Sequence, residues 1–152
     1  MDKPCFPPLF PPGFHDLDEN KIKLLCVDVF PNSVRRSILY CNYIQLMTNI
    51  RSINMQFKCF VEVWVDGSFT TEKPEPDDID MLLVIDYDQL NLVPPMFQPQ
   101  VERLLDRPYI KHNYSIDLLL LRNGQGEDRM HWRGVFGHDR EDTPKGIVRV
   151  PV

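Results

Sequence analysis

Apolar and polar positions alternate along this chain in two distinct rhythms. Leu39, Tyr43, Leu46, Ile50 and Ile53 recur at intervals of four and three, which predicts one apolar stripe on a helix capped by Ser33. Phe60 to Asp66 then switches to a period of two, with Val61, Val63 and Val65 on one side, as in a strand. Gly67-Ser68 ends that strand, and a polar loop follows. Asp78 to Asp86 reads as a second strand, with Ile79, Met81, Leu83 and Ile85 on one face and Asp78 and Asp80 on the other. Ser115 to Leu121 is a third strand, apolar apart from Asp117 and so expected at the centre of a sheet.

The flanking segments are less regular. Residues 1–14 hold Pro4, Pro7, Pro8, Pro11 and Pro12, a stiff extended arm whose Phe6, Leu9, Phe10 and Phe14 are expected to lie across a core. Asp16 or Asp18 can cap a short helix reaching about Phe30, with Leu17, Leu24, Leu25 and Val27 as its apolar contacts and Pro31 as its stop. Pro94-Pro95 break the connection after the second strand, and Val101 to Leu105 suggest another short helix. Residues 122–152 read as irregular, with Ile147 to Val150 as a terminal edge strand. The expected fold is therefore α/β, one domain over residues 1–152 with a short mixed sheet flanked by helices.

Composition narrows the picture. With 43% hydrophobic and 26% charged residues, wholesale disorder is excluded. A net charge of −5 argues against broad, non-specific nucleic-acid binding. A local groove stays open, because residues 29–60 carry Arg35, Arg36, Arg51 and Lys58 and no carboxylate; Arg35 and Arg36 are expected on a solvated helix face. Cys5, Cys26, Cys41 and Cys59 lie far apart with no C-x-x-C pair, which speaks against zinc and for reduced thiols in a cytoplasmic protein. No secretory leader or membrane span is read in the sequence.

Charge is concentrated where the chemistry is expected. Glu72, Glu75, Asp77, Asp78, Asp80, Asp86 and Asp88 crowd residues 72–88 against one lysine. Side chains two apart on a strand share a face about 6–7 Å apart, so Asp78 and Asp80 repel unless a cation joins them. Mg²⁺ favours carboxylate oxygens, waters and substrate phosphates, and Asp117 from a later strand completes a candidate two-metal site. Gly67 and Ser68 offer close backbone approach and a hydroxyl to phosphate oxygens, and Lys73 in the next loop is the nearest positive contact. His15, His112, His131 and His138 show no ligand spacing. Trp132, Phe136 and Gly137 are expected in packing, with Phe136, Arg133, Arg140 and Lys145 as a looser set of substrate contacts.

Gly67-Ser68, nine residues, Asp78-Ile79-Asp80 and then Asp117 resembles the signature of the DNA polymerase β-like nucleotidyltransferase superfamily, which includes the minimal nucleotidyltransferases of bacteria and archaea. A likeness over most of the chain is to a poorly characterised branch of small proteins of that kind. It is carried by Pro11-Pro12-Gly13 with His15, Phe30, Arg36, Val65 to Thr70, Lys73, Pro76, Phe136-Gly137 and Lys145-Gly146-Ile147. The resemblance implies a polymerase β-like fold that transfers a nucleoside monophosphate from an NTP to a hydroxyl of a protein, RNA (such as tRNA) or small molecule. Asp78 and Asp80 would bind both Mg²⁺ ions, Asp117 one, and Gly67 and Ser68 the triphosphate. It also implies an alternative, a non-catalytic partner protein such as a toxin–antitoxin or phage-defence component. One departure stands out. Minimal nucleotidyltransferases often carry an arginine on a helix just after Gly-Ser, whereas Phe69 to Pro76 contains Thr70, Thr71 and Lys73, and its prolines forbid a regular helix.

Overall fold

Ser33 opens the long helix as its spacing predicts. Its Oγ accepts the Arg36 N–H at 3.1 Å, helix α2 runs Val34–Phe57, and Lys58 closes it in the left-handed conformation by donating to the Asn54 carbonyl. Leu39, Tyr43, Leu46, Ile50 and Ile53 are all buried, with Met47 beside them. The computed structural model describes residues 5–124, 126–139, 141 and 143–152, and of Glu127 and Asp128 the backbone alone; residues 1–4 of the arm and Arg140 of the looser contact set lie outside.

Five strands form one mixed sheet in the order β1-β5-β2-β3-β4. They are β1 Gly13–Asp16, β2 Phe60–Asp66, β3 Ile79–Ile85, β4 Ile116–Arg122 and β5 Gly146–Pro151. β2 runs antiparallel to β3 and β5, while β3 pairs with β4, and β1 with β5, in parallel. The expected α/β class with a mixed sheet is thus present. Two strand positions are corrected. β4 is an edge strand rather than a central one; it reads as apolar because Ile116 and Leu118 join the core on one face and Leu121 the core on the other. β5 is interior rather than terminal, because the N-terminal arm folds in as β1 and takes the edge. A register shift between Phe60 and Glu62 leaves Val61 exposed, apart from Val63 and Val65.

Each face of the sheet has its own core. On one, α2 packs over Val63, Val65, Ile79, Met81, Leu83, Ile85, Val148 and Val150. On the other, Phe136 at the end of helix α6 (Gly126–Phe136) meets Trp64, Leu82, Val84, Leu121 and Ile147. The region expected to be irregular therefore contains a covering helix. Between β1 and α2 lies α1 (Glu19–Lys23), capped by Asp18 and continued by a π-helical turn over Leu24–Asp28. The wider turn shifts the phase of the helix. Ile22, Cys26 and Val27 point inward, and Leu24 and Leu25, expected as contacts, are exposed. Helices α3 (Tyr87–Leu90), α4 (Gln98–Leu104) and α5 (Arg107–Tyr114) connect β3 to β4. No helix among the described residues is long and apolar enough to cross a membrane.

Candidate active site

The C-terminal end of β2 and the N-terminal ends of β3 and β4 meet at the same end of the sheet. Register sets Asp66 opposite Asp80, and Asp80 opposite Asp117, so three aspartates stand abreast on neighbouring strands. Strand spacing puts their backbones about 5 Å apart. Asp78, at the mouth of β3, adds a fourth. All four line a cleft of about 620 Å³ with Gly67, Ser68, Lys73, Phe6, Phe136 and Lys145. The sequence-predicted group is brought together, and Asp66 joins it. Its signal was readable: it ends an alternating strand directly before Gly67-Ser68, on the side of Trp64 rather than of Val65.

Cations from the same chain balance these acids. Arg107 donates to Asp117 through Nε at 2.7 Å and Nη2 at 3.1 Å. One turn along α5, Lys111 pairs with Asp78. Lys145 Nζ lies 3.0 Å from Asp66 Oδ2. Asp80 stands in the middle; burial raises its pKa above the ordinary carboxylate range, and the charges of Asp78 and Asp117 push the same way. Burial pushes Asp66 up to about 7 against the pull of Lys145. Sequence reasoning missed Arg107 and Lys111, whose i, i+4 spacing puts both on one face of a helix leading into the strand of Asp117 and was the available clue.

Gly67 is required twice over. Its φ of +82° suits glycine, and a Cβ there would lie 2.6 Å from Asp80 Oδ2. Ser68–Thr70 makes a single 3₁₀ turn, with Thr70 Oγ1 donating to the Gly67 carbonyl at 3.1 Å and to Asp66 Oδ1 at 3.3 Å. In place of a helix, the following loop is held from behind by Arg36. Arg36 Nη1 donates to the Cys26 and Phe69 carbonyls (2.8 and 2.6 Å) and Nη2 to those of Thr71 and Lys73 (both 2.6 Å), with the guanidinium 3.8 Å above the Phe30 ring.

The expected solvated position of Arg36 is therefore corrected: it is fully buried. It stands three residues before Leu39, on the apolar stripe itself, so helical phase aims it inward. Burial removes Arg36 from the candidate basic groove. Arg35 bonds the Asp77 carbonyl at 2.5 Å, and Arg51 bonds Glu19 at 2.5 Å and the Pro151 carbonyl at 3.1 Å. Of the histidines, His15 bonds the Pro11 carbonyl and His138 that of Gly134, both locally.

Four carboxylates offer hard oxygen donors of the kind a divalent cation takes, and that donor chemistry fits Mg²⁺. As the side chains stand, the outer two are turned to Arg107 and Lys111. Among the described residues no three His, Cys, Asp or Glu side chains are grouped closely enough to hold an ion.

The chain belongs to the family of unknown function DUF6932, whose model matches residues 4–151. No curated protein and no solved structure matches it.

Proposed function

We propose that this protein is a Mg²⁺-dependent nucleotidyltransferase of polymerase β-like fold, moving a nucleoside monophosphate from an NTP to an acceptor hydroxyl. The observation that supports this most is the line of Asp66, Asp80 and Asp117 on three adjacent strands, beside the Gly67-Ser68 turn and open to a cleft. Carboxylates set side by side repel, and the fold brings them together at a cost that a purely structural role does not explain.

In this reading Gly67 and Ser68 present backbone N–H groups and a hydroxyl to the triphosphate. Asp78 and Asp80 supply the ligand oxygens, and Asp117 Oδ takes the proton of the acceptor hydroxyl. The acceptor oxygen bonds the α-phosphorus, the bond from that phosphorus to the bridging oxygen breaks, and pyrophosphate leaves. A divalent cation supplies charge stabilisation at the phosphates. Arg107 and Lys111 yield their carboxylates readily, because solvent screens exposed ion pairs and leaves them weak.

Label transfer tests the reading. The protein is incubated with labelled ATP, CTP, GTP or UTP, Mg²⁺ and an acceptor (tRNA, the protein itself, cell extract). Transfer by wild type that disappears in Asp78→Ala/Asp80→Ala is the expected result. Mg²⁺ with an NTP should also raise the melting temperature of wild type and leave the double variant unmoved. The rival, a non-catalytic partner protein such as a toxin–antitoxin or phage-defence component, draws support from the capture of Asp117 and Asp78 by Arg107 and Lys111. Equal labelling in both proteins, or none with any acceptor, transfers the argument to that rival.

A further inference from the structure

Lys145 is the most buried of the three cations paired with the aspartates of the cleft. Its side chain is 11% exposed and that of its partner Asp66 5%, against 58% for Arg107 and 46% for Lys111 on the rim. Desolvating both members of an ion pair costs more than their attraction commonly returns, so such a pair is weak support for a fold. This one sits where a ligand can reach it.

The backbone around Lys145 is fixed from both sides. Its own N–H donates to the Gly137 carbonyl at 2.7 Å, and the Gly146 N–H donates to the Phe10 carbonyl at 3.1 Å. A Cβ at Gly146 would run into the Pro11 carbonyl oxygen and lie 2.7 Å from Phe10 Cβ, so the chain passes here at minimum width. A lysine loses much rotamer freedom when it is ordered, and this scaffold has already ordered it. Its ammonium carries three donors and no acceptor.

We infer that Lys145 is the cation that grips the polyphosphate of the nucleotide, exchanging Asp66 for phosphate oxygens when the substrate enters. The inference rests on the nucleotidyltransferase reading and moves the phosphate-binding role from Lys73, on the loop behind the Gly67-Ser68 turn, to the floor of the cleft. Charge balance survives the exchange, since a polyphosphate chelated by a divalent cation brings both signs with it.

Inorganic tripolyphosphate in Mg²⁺ buffer is the probe, titrated calorimetrically into the intact chain. Lys145→Gln should bind it about tenfold more weakly or worse, the loss of one charged hydrogen bond. Lys145→Arg should stay within about threefold of wild type, and Lys21→Gln, the same charge change on exposed α1, should not differ from it. Because Lys145→Gln strands Asp66, the pair variant Asp66→Asn/Lys145→Gln is measured too; it should fold and bind as poorly. Wild-type affinity in Lys145→Gln and the pair variant, or no binding by wild type, overturns the inference. Label transfer separates the two claims. Transfer with an unchanged KM in Lys145→Gln leaves the enzyme reading and removes this one; Lys145-dependent binding without transfer by wild type does the reverse.

Discussion

A buried arginine survives in this fold because five partners meet it: four carbonyls and the face of Phe30. Arg36→Ala would leave those carbonyls without donors, and a loss of about 4 kcal/mol in urea unfolding is expected. Arg36→Lys, with one point of charge for a planar fork, should recover only part of it. Gly67→Ala is different in kind. It forces a side chain into the left-handed region and against Asp80, so NTP-dependent thermal stabilisation should vanish while most of the melting temperature is retained. At this scale the sequence was half legible. Asp78, Asp80 and Asp117 were found because alternation and a lone acid in an apolar run are visible in one dimension. Asp66 and Arg36 were passed over although strand alternation and helical phase aim both inward, and Lys145 stood only in the looser set of substrate contacts, because its pairing with Asp66, 79 positions away, is not visible in one dimension.

Among the elements, α2 governs the loop that follows the Gly67-Ser68 turn. Its cap is separable from its core: Ser33→Ala should cost about 1 kcal/mol. Glu75 reaches back to this helix end, and its carboxyl lies below the ordinary value of 4.5, first through the Ser33 hydroxyl and then through the Arg35 and Val34 N–H groups, against some burial. A carboxylate depressed in the folded state adds stability above its unfolded pKa and loses it as pH falls through the folded value. The contact is thus complete at neutral pH and fades below about pH 4.5. Glu75→Gln should flatten that acid limb of a melting-temperature profile by lowering the melting temperature at pH 7, with the two proteins converging at acid pH. Helix α2 and strands β2 and β3 were legible because each shows one clean period. Helix α6 was hidden by Gly126 and Gly134 within it, and β4 misled because an edge strand covered on both faces has the composition of a central one.

Across the whole molecule, the arm binds two places at once. Leu9 N–H donates to the Thr70 carbonyl and the Pro7 carbonyl accepts the Glu72 N–H, while β1 lies along β5. Gly146→Ala should push the arm off through its collision with Pro11, and limited proteolysis should then cut within residues 5–12, a region protected in wild type. Loss of the arm also removes Phe6 from the cleft wall.

That β5 lies between β1 and β2 has a consequence for biosynthesis. Strand β1 has no hydrogen-bonding neighbour in the sheet until β5 is made, so the outer rank of the sheet closes only after residues 146–151 emerge. Joining segments so distant is entropically slow. Since Lys145 stands directly before that same strand, the cleft is completed only when β1 and β5, far apart in the chain, find each other.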